Sequence, residues 1–316
     1  MTQPSINATF DTSLIDLNPN VSFSTAESDP SDAGMSTTTQ RTRPSASSSL
    51  AQDLNQAIPP KASTPVQHIG TQDAYDQWAS VYDTDGNMLQ SIDDDELNTL
   101  LPLLLDQVAA TSGSSISVLD LGCGTGRNTT RLLTHPWPAD KKISITGLDF
   151  SAGMLALART KLAPFACTNK FITLRLEQCN PFPASDDFSP STLNLAPQNL
   201  VISTLVLEHI SLPTYFQTLA ALLAKGAVAL VTNMHDEMGR RSQAGFVNAQ
   251  GVKVRGESFV YSLAETVQAA HEAGLEVVSA RERSVSEADV RSGVVGTRGG
   301  KWIGCKVWYG IVLRKA

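Results

Sequence analysis

Val118-Leu119-Asp120-Leu121-Gly122-Cys123-Gly124-Thr125-Gly126-Arg127 reads as a buried strand running straight into a tight glycine turn. Glycine costs backbone entropy on folding and leaves no side chain to pack. Three in alternation therefore mark a backbone that must reach positive φ or let a ligand approach closely. The spacing narrows the ligand. A dinucleotide turn needs its third glycine three residues after the second, and Arg127 stands at that place, so G-x-G-x-G points away from a nicotinamide cofactor.

Outward from the turn, Ile143-Ser144-Ile145-Thr146-Gly147-Leu148 forms a second strand and Asp149 stands at its end. An acid roughly 20 residues past a glycine turn is where a Rossmann-like site holds a ribose diol. A third run, Asn199 to Thr204, continues into Leu205-Val206-Leu207-Glu208-His209-Ile210. From Ile116 onward strands alternate with helices, the signature of a doubly wound α/β sheet. Strands are expected near 116–121, 143–148, 171–176, 199–204, 227–233, 275–281 and 301–313. Most are apolar without clean alternation, as strands covered on both faces should be. Helices are expected near 127–134, 151–162 and 206–224, with a later one opened by the capping box Ser262-x-x-Glu265 and stopped at Gly274.

Upstream, Tyr75, Trp78, Ala79 and Tyr82 share one helical face. A second helix is expected to begin at Asp93, where Asp93-x-x-Glu96 resembles a capping box, and to kink or restart at Pro102. The segments 235–258 and 282–300 are polar and longer than ordinary connections. The first follows the fifth strand at the ligand edge and reads as a lid or binding loop; the second reads as a solvated loop.

Asp120-Leu121-Gly122-Cys123-Gly124-Thr125-Gly126 resembles motif I of the class I S-adenosylmethionine (SAM) methyltransferases. Asp149-Phe150-Ser151 before Ala152-Gly153-Met154-Leu155 is similar to that family's second motif, and the run from Asn199 to Ile210 to its fourth strand and the helix after it. The resemblance spans about residues 71–316; the segments Asp73–Asn87 and Lys301–Tyr309 look like those of fungal small-molecule methyltransferases of specialised metabolism. It implies a Rossmann-like sandwich: a seven-stranded, mostly parallel sheet with one antiparallel strand in the edge region and helices on both faces.

The resemblance also implies SAM as the cofactor. Gly122, Gly124 and Gly126 would close on its methionine part, with Asp120 orienting the turn or meeting the cofactor's amino group. Asp149 would take the ribose hydroxyls, and Gln178, in place of a more usual acid, the adenine; Tyr82 would roof the site. The tetrad Asn180-Pro181-Phe182-Pro183 resembles the clamp of nucleic-acid amino-methyltransferases, but it follows the third strand rather than the fourth and reads as a proline-rich turn. His209 and His235 are the candidate bases, since imidazole can accept a proton near neutral pH. Neither shows an orienting acid or histidine nearby in sequence, which favours an amine acceptor, needing no base, over a phenolic oxygen.

The 316 residues carry a net charge of −7 and 41% apolar side chains. That balance suffices for a full core and argues against a basic nucleic-acid-binding face; a small metabolite or modified peptide is the expected acceptor. Residues 1–70 are rich in Ser, Thr and Pro and read as a disordered leader, leaving 71–316 as the catalytic domain. The leader motivates an alternative of another class, a SAM-binding regulatory protein without turnover. No Lys or Arg precedes Arg41, no apolar run approaches the roughly 20 residues that span a bilayer, and the four cysteines form no CxxC pair. A cytoplasmic protein with reduced thiols and no metal is expected.

Overall fold

The chain, analysed as a computed structural model, is described over residues 65–166, 169–182 and 195–316. The leader expected over 1–70 lies outside the described residues as far as residue 64, and so do Cys167 and Pro183.

In chain order the strands are β1 (Val66–His68), β2 (Ser115–Leu121), β3 (Lys142–Asp149), β4 (Ile172–Gln178), β5 (Gln198–Thr204), β6 (Leu223–Met234), β7 (Phe246–Val247), β8 (Lys253–Arg255), β9 (Leu275–Ser284) and β10 (Lys306–Lys315). The helices are α1 (Thr71–Trp78), α2 (Met88–Thr111), α3 (Arg127–Thr134), α4 (Ala152–Ala166), α5 (Leu212–Leu222), α6 (Asp236–Gly239), α7 (Leu263–Glu272) and α8 (Glu287–Ser292).

Seven strands form one sheet in the order β4-β3-β2-β5-β6-β10-β9, in which β10 alone runs antiparallel to its neighbours. The apolar runs read from the sequence are those strands; the central ones are covered on both faces, whereas β4 and β9 at the two edges are largely exposed or half-buried. Ile116 and Val118 of β2 pack with Leu101 and Leu105 of α2, Leu132 of α3 and Leu162 of α4. Leu119 and Leu121 of the same strand join Phe216 of α5 and Ala270 of α7 on the opposite side. A strand with period-two side chains must be apolar throughout when each face meets helices, which is why no amphipathic alternation is visible.

Several boundaries differ from the sequence reading. α2 starts at Met88, not Asp93, because the Asn87 side chain accepts from the Leu89 amide at 3.0 Å and caps the helix there. It runs unbroken through Pro102, held by Leu97, Leu101, Leu104 and Leu105, all buried. The helix expected over 206–224 is a 3-10 turn at Leu207–His209 followed by α5. The capping box at Ser262 is present as read, and Gly274 takes the positive φ that ends α7. Segment 235–258 holds α6, β7 and β8, which pair with β1 into a second, three-stranded sheet that no sequence signal announced. Segment 282–300 completes β9, forms α8 and enters a 3-10 turn, with Val285, Asp289 and Val295 buried, so it is not a solvated loop.

Asp93 is spent on tertiary structure. Its carboxylate is fully buried, pairs with the Arg127 guanidinium at 2.6 Å and accepts from Thr232 Oγ1 at 2.7 Å and Trp308 Nε1 at 2.8 Å. Breaking a buried ion pair from one side typically costs about 3–5 kcal/mol. Asp93→Ala is therefore expected to lower the unfolding free energy by about that amount in a denaturant titration. A loss under about 1 kcal/mol would show that these bonds do not hold the fold together.

Candidate active site

The glycine turn is built by backbone geometry that side chains would forbid. Gly122 takes φ 78° and a Cβ there would run into Val206. Gly126, at φ 81°, precedes α3 and lies against Leu162 and Ala158 of α4. The amides of Gly122 and Cys123 both donate to the Leu148 carbonyl, at 2.8 and 2.9 Å, fastening the turn to the end of β3. Gly124 faces open space, and its amide donates to Asp149 Oδ2 at 2.8 Å.

Asp149 accepts a second amide bond on Oδ1, from Ser151 at 2.9 Å. Burial raises its pKa, and the two amide bonds oppose that rise. Each carboxylate oxygen keeps lone-pair capacity for a further donor.

A cavity of about 370 Å³ opens beside the turn at the carboxyl ends of β2, β3 and β5. The turn contributes Gly122 and Gly124, β3 and its exit Leu148, Asp149 and Phe150, and the β5 exit Thr204, Leu205 and Val206. Tyr75 and Tyr82 line it from the N-terminal segment, and Asn180, Pro181 and Phe182 close another side. Ligands of open α/β sheets sit at this edge.

The expected site residues divide in two. Tyr82, Gly122, Gly124, Asp149 and His209 line the cavity. Gly126 and Asp120 do not: Gly126 lies against Leu162 and Ala158, and Asp120 is buried beneath the turn, with Oδ2 accepting from Thr129 Oγ1 at 2.6 Å. Gln178 lies at the exposed end of β4 and donates to the Phe150 carbonyl at 3.1 Å. Its neighbours Asn180 and Phe182, read as an ordinary turn, line the cavity instead.

The two histidines also part company. His235 is away from the cavity, where it caps α6 by accepting from the Glu237 amide at 3.1 Å and bonds Glu282 at 2.8 Å. His209 faces the cavity with both ring nitrogens engaged, Nδ1 with the Glu257 carbonyl at 2.7 Å and Nε2 with the Tyr75 hydroxyl at 2.8 Å. A carbonyl only accepts, so Nδ1 carries a proton, and in the neutral imidazole Nε2 takes the Tyr75 hydroxyl hydrogen. The expectation that neither imidazole has an orienting acid is corrected: His209 is held by Tyr75 and Glu257, remote in sequence, and His235 by the remote Glu282 together with its neighbours Asp236 and Glu237. Burial raises the pKa of Tyr75 and of Tyr82, so both phenols stay protonated at neutral pH.

Glu208, Glu257 and Thr204 went unnoticed in the sequence. Glu208 is buried behind His209, with its Oε2 unpartnered and its pKa raised by burial. Asp149 and Glu257 are the charged residues that line the cavity; among the described residues no Lys or Arg does so. A carboxylate at the end of β3, an open glycine backbone and aromatic walls fit a nucleoside bearing a charged side arm.

A family model described as a methyltransferase domain matches residues 94–280. An uncharacterized methyltransferase of Emericella nidulans is 39% identical over 267 residues, which cover 78% of this chain and 91% of that protein. Among solved structures, a SAM-dependent methyltransferase from Mesorhizobium loti aligns with a TM-score of 0.45 at 18% identity, over 66% of this chain and 96% of its own. A geranyl diphosphate C-methyltransferase from Streptomyces coelicolor aligns with a TM-score of 0.48 at 12% identity, over 70% of this chain and 77% of its own.

Burial raises the Asp120 carboxyl to about 6, with the Thr129 hydrogen bond opposing the rise. The folded chain therefore holds this proton more tightly than the unfolded one. The associated stability is present at low pH and is lost as pH rises towards 6, by roughly 3 kcal/mol in all. Asp120→Asn, whose amide oxygen still accepts from Thr129, is expected to gain on the wild type between about pH 4.5 and pH 7.5. Melting curves at the two pH values check this. An Asn-minus-Asp difference that does not change with pH would contradict it.

Proposed function

The chain belongs to the methyltransferase domain family, and on that premise we propose that its SAM-dependent methyl transfer is directed to the nitrogen of a small amine, a free metabolite or a modified peptide. The charge of the cavity carries this reading. Asp149 and Glu257 line it, with no cationic side chain among the described residues. Such a wall attracts an amine acceptor in its ammonium form and repels an anionic one; that ammonium proton passes to solvent before the neutral nitrogen attacks.

Bound SAM supplies an activated methyl group on a sulfonium. The residues of this chain supply position. Asp149 would hold the ribose diol and Gly124 admits close approach at the turn. Tyr75 and Tyr82 close the N-terminal side with aromatic faces, which favour a nearby cation by about 0.5–2 kcal/mol. Orienting two reactants at near-attack distance can account for roughly 7–11 kcal/mol of barrier, so transfer to a neutral amine needs no further group. His209, with both nitrogens engaged, suits a wall better than a base.

The Tyr75–His209 bond favours a second reading, transfer to a phenolic oxygen with this pair receiving the phenol's proton. One experiment separates them: turnover with SAM across primary amines, secondary amines and phenols, followed as S-adenosylhomocysteine, for the wild type and His209→Gln. Methylated amines are expected, with His209→Gln retaining most turnover above the amine's own pKa. Methylation of phenols alone, with a loss beyond about 10²-fold in His209→Gln, would overturn the nitrogen reading.

A further inference from the structure

The cavity has a buried end and an open rim, and its two acids are divided between them. Asp149 is buried, and its oxygens accept from the Gly124 and Ser151 amides. Glu257 is exposed at the rim, together with Gln72 and Asn180. Gln72 Nε2 donates to the Phe150 carbonyl at 3.1 Å, and Asn180 Oδ1 accepts from the Phe182 amide at 3.0 Å. The Glu257 carboxylate has no partner among the described residues.

The backbone of Glu257 is fixed on both sides. Its amide donates to Thr71 Oγ1 at 3.1 Å, and its carbonyl accepts from His209 Nδ1 at 2.7 Å. β8 ends just before it, at Arg255, and pairs in parallel with β1, whose chain continues into Thr71 and α1. The small sheet therefore presents a free carboxylate from an anchored position, which lowers the ordering cost of meeting a ligand. No Lys or Arg among the described residues lines the cavity, so the cation that complements this charge comes with the ligand.

The chemistry of transfer decides which cation that is. A nitrogen attacks with its lone pair and has to be neutral, whereas a carboxylate beside it favours its protonated form. Placed on the reacting nitrogen, Glu257 would stabilise the full charge of the unreactive ammonium more than the partial charge of the transition state. Placed on a second cationic group, which stays charged throughout, the same attraction is kept from binding to transfer. The rim also stands apart from the buried end. Contacts lead inward from Glu257 to His209, then to Tyr75 at 5.3 Å between ring centroids, and then to Phe150, next to Asp149, at 6.3 Å.

We propose that Glu257 is a specificity-determining residue for the acceptor, and that the acceptor carries a second cationic group, as a linear diamine does, several bonds from the nitrogen that is methylated. Glu257 holds that second cation at the rim, while the reacting nitrogen, its proton lost to solvent, enters the cavity. The inference rests on the amine reading above, and its test separates the two.

The test is calorimetry on the full chain saturated with S-adenosylhomocysteine. The probes are putrescine, cadaverine and hexamethylenediamine, each against the ω-amino acid of equal length, which keeps one ammonium and reverses the sign of the other charge. The wild type is expected to bind the best-fitting diamine about tenfold or more tightly than its amino-acid counterpart. Glu257→Gln should bring that pair within about threefold, and Glu257→Lys should reverse its order. Both variants should keep S-adenosylhomocysteine affinity within about threefold, which also shows that they are folded. Raising salt from about 0.05 M to about 0.5 M should shrink the wild-type preference several-fold. A wild type that binds no diamine or shows no preference, or a preference that survives in both variants or at high salt, would overturn the seat at Glu257. Turnover distinguishes the two failures: amines methylated without favour for diamines would sink the seat alone, and methylation confined to phenols would sink the amine reading with it.

Discussion

The buried Asp93 carboxylate is the point on which this architecture closes. Four elements converge on its two oxygens: α2 that carries it, Arg127 at the start of α3, Thr232 of β6 and Trp308 of β10. A lone carboxylate at 0% exposure would be untenable, and a single ion pair in that setting often fails to offset desolvation. Here one charge partner and two neutral donors share the load, so the pair is both satisfied and fixed in direction. Arg127 immediately follows Gly126, so the same bonds set where the glycine turn ends and α3 begins. They also remove from the cavity the cation most readily imagined there.

The roof over the cavity is fastened in another manner. Asp76 of α1 accepts from Ser151 Oγ at 2.6 Å and the Gly153 amide at 2.9 Å. Asp83, just beyond α1, accepts from Thr125 Oγ1 and Lys161 Nζ, both at 2.6 Å. Trp78 stacks on Phe246 of the small sheet, with ring centroids 5.6 Å apart. The roof therefore grips the residues next to the glycine turn and next to Asp149. Part-exposed hydrogen bonds of this sort are worth about 1 kcal/mol net each, far less than the apolar faces beneath. Ala74 and Trp78 also anchor α1 in a buried apolar cluster with Met88, Leu89 and Phe246.

The alternation of strands and helices and the glycine turn were legible because each has a local cause. A strand covered on both faces must be apolar throughout, a turn at positive φ must be glycine, and a ribose acid must stand one strand onward. Asp149 followed from that logic and lies where it predicts. Asp93 misled because a capping box has the same letters as a buried acid followed by a half-buried one that pairs with Arg283, and only the neighbours tell them apart. His209 and His235 were equivalent in the sequence for a like reason: their partners Tyr75, Glu257 and Glu282 lie tens of residues or more away along the chain.

The sequence by itself determined the run of strands, the turn, the acid Asp149 at the end of β3 and the kinship to methyltransferases, all of which depend on residues within one strand-turn-helix unit. The tertiary structure alone decided which polar groups share the cavity. It brought Tyr75 to His209, set Thr204 beside Asn128, paired β1 with β8, and left Asp120, Gln178 and His235 outside. Those outcomes depend on burial and on contacts between segments far apart in the chain. A polar side chain has the same identity whether it meets a ligand, a capped helix or a buried guanidinium, and only the packed fold determines which of these lies within hydrogen-bond reach.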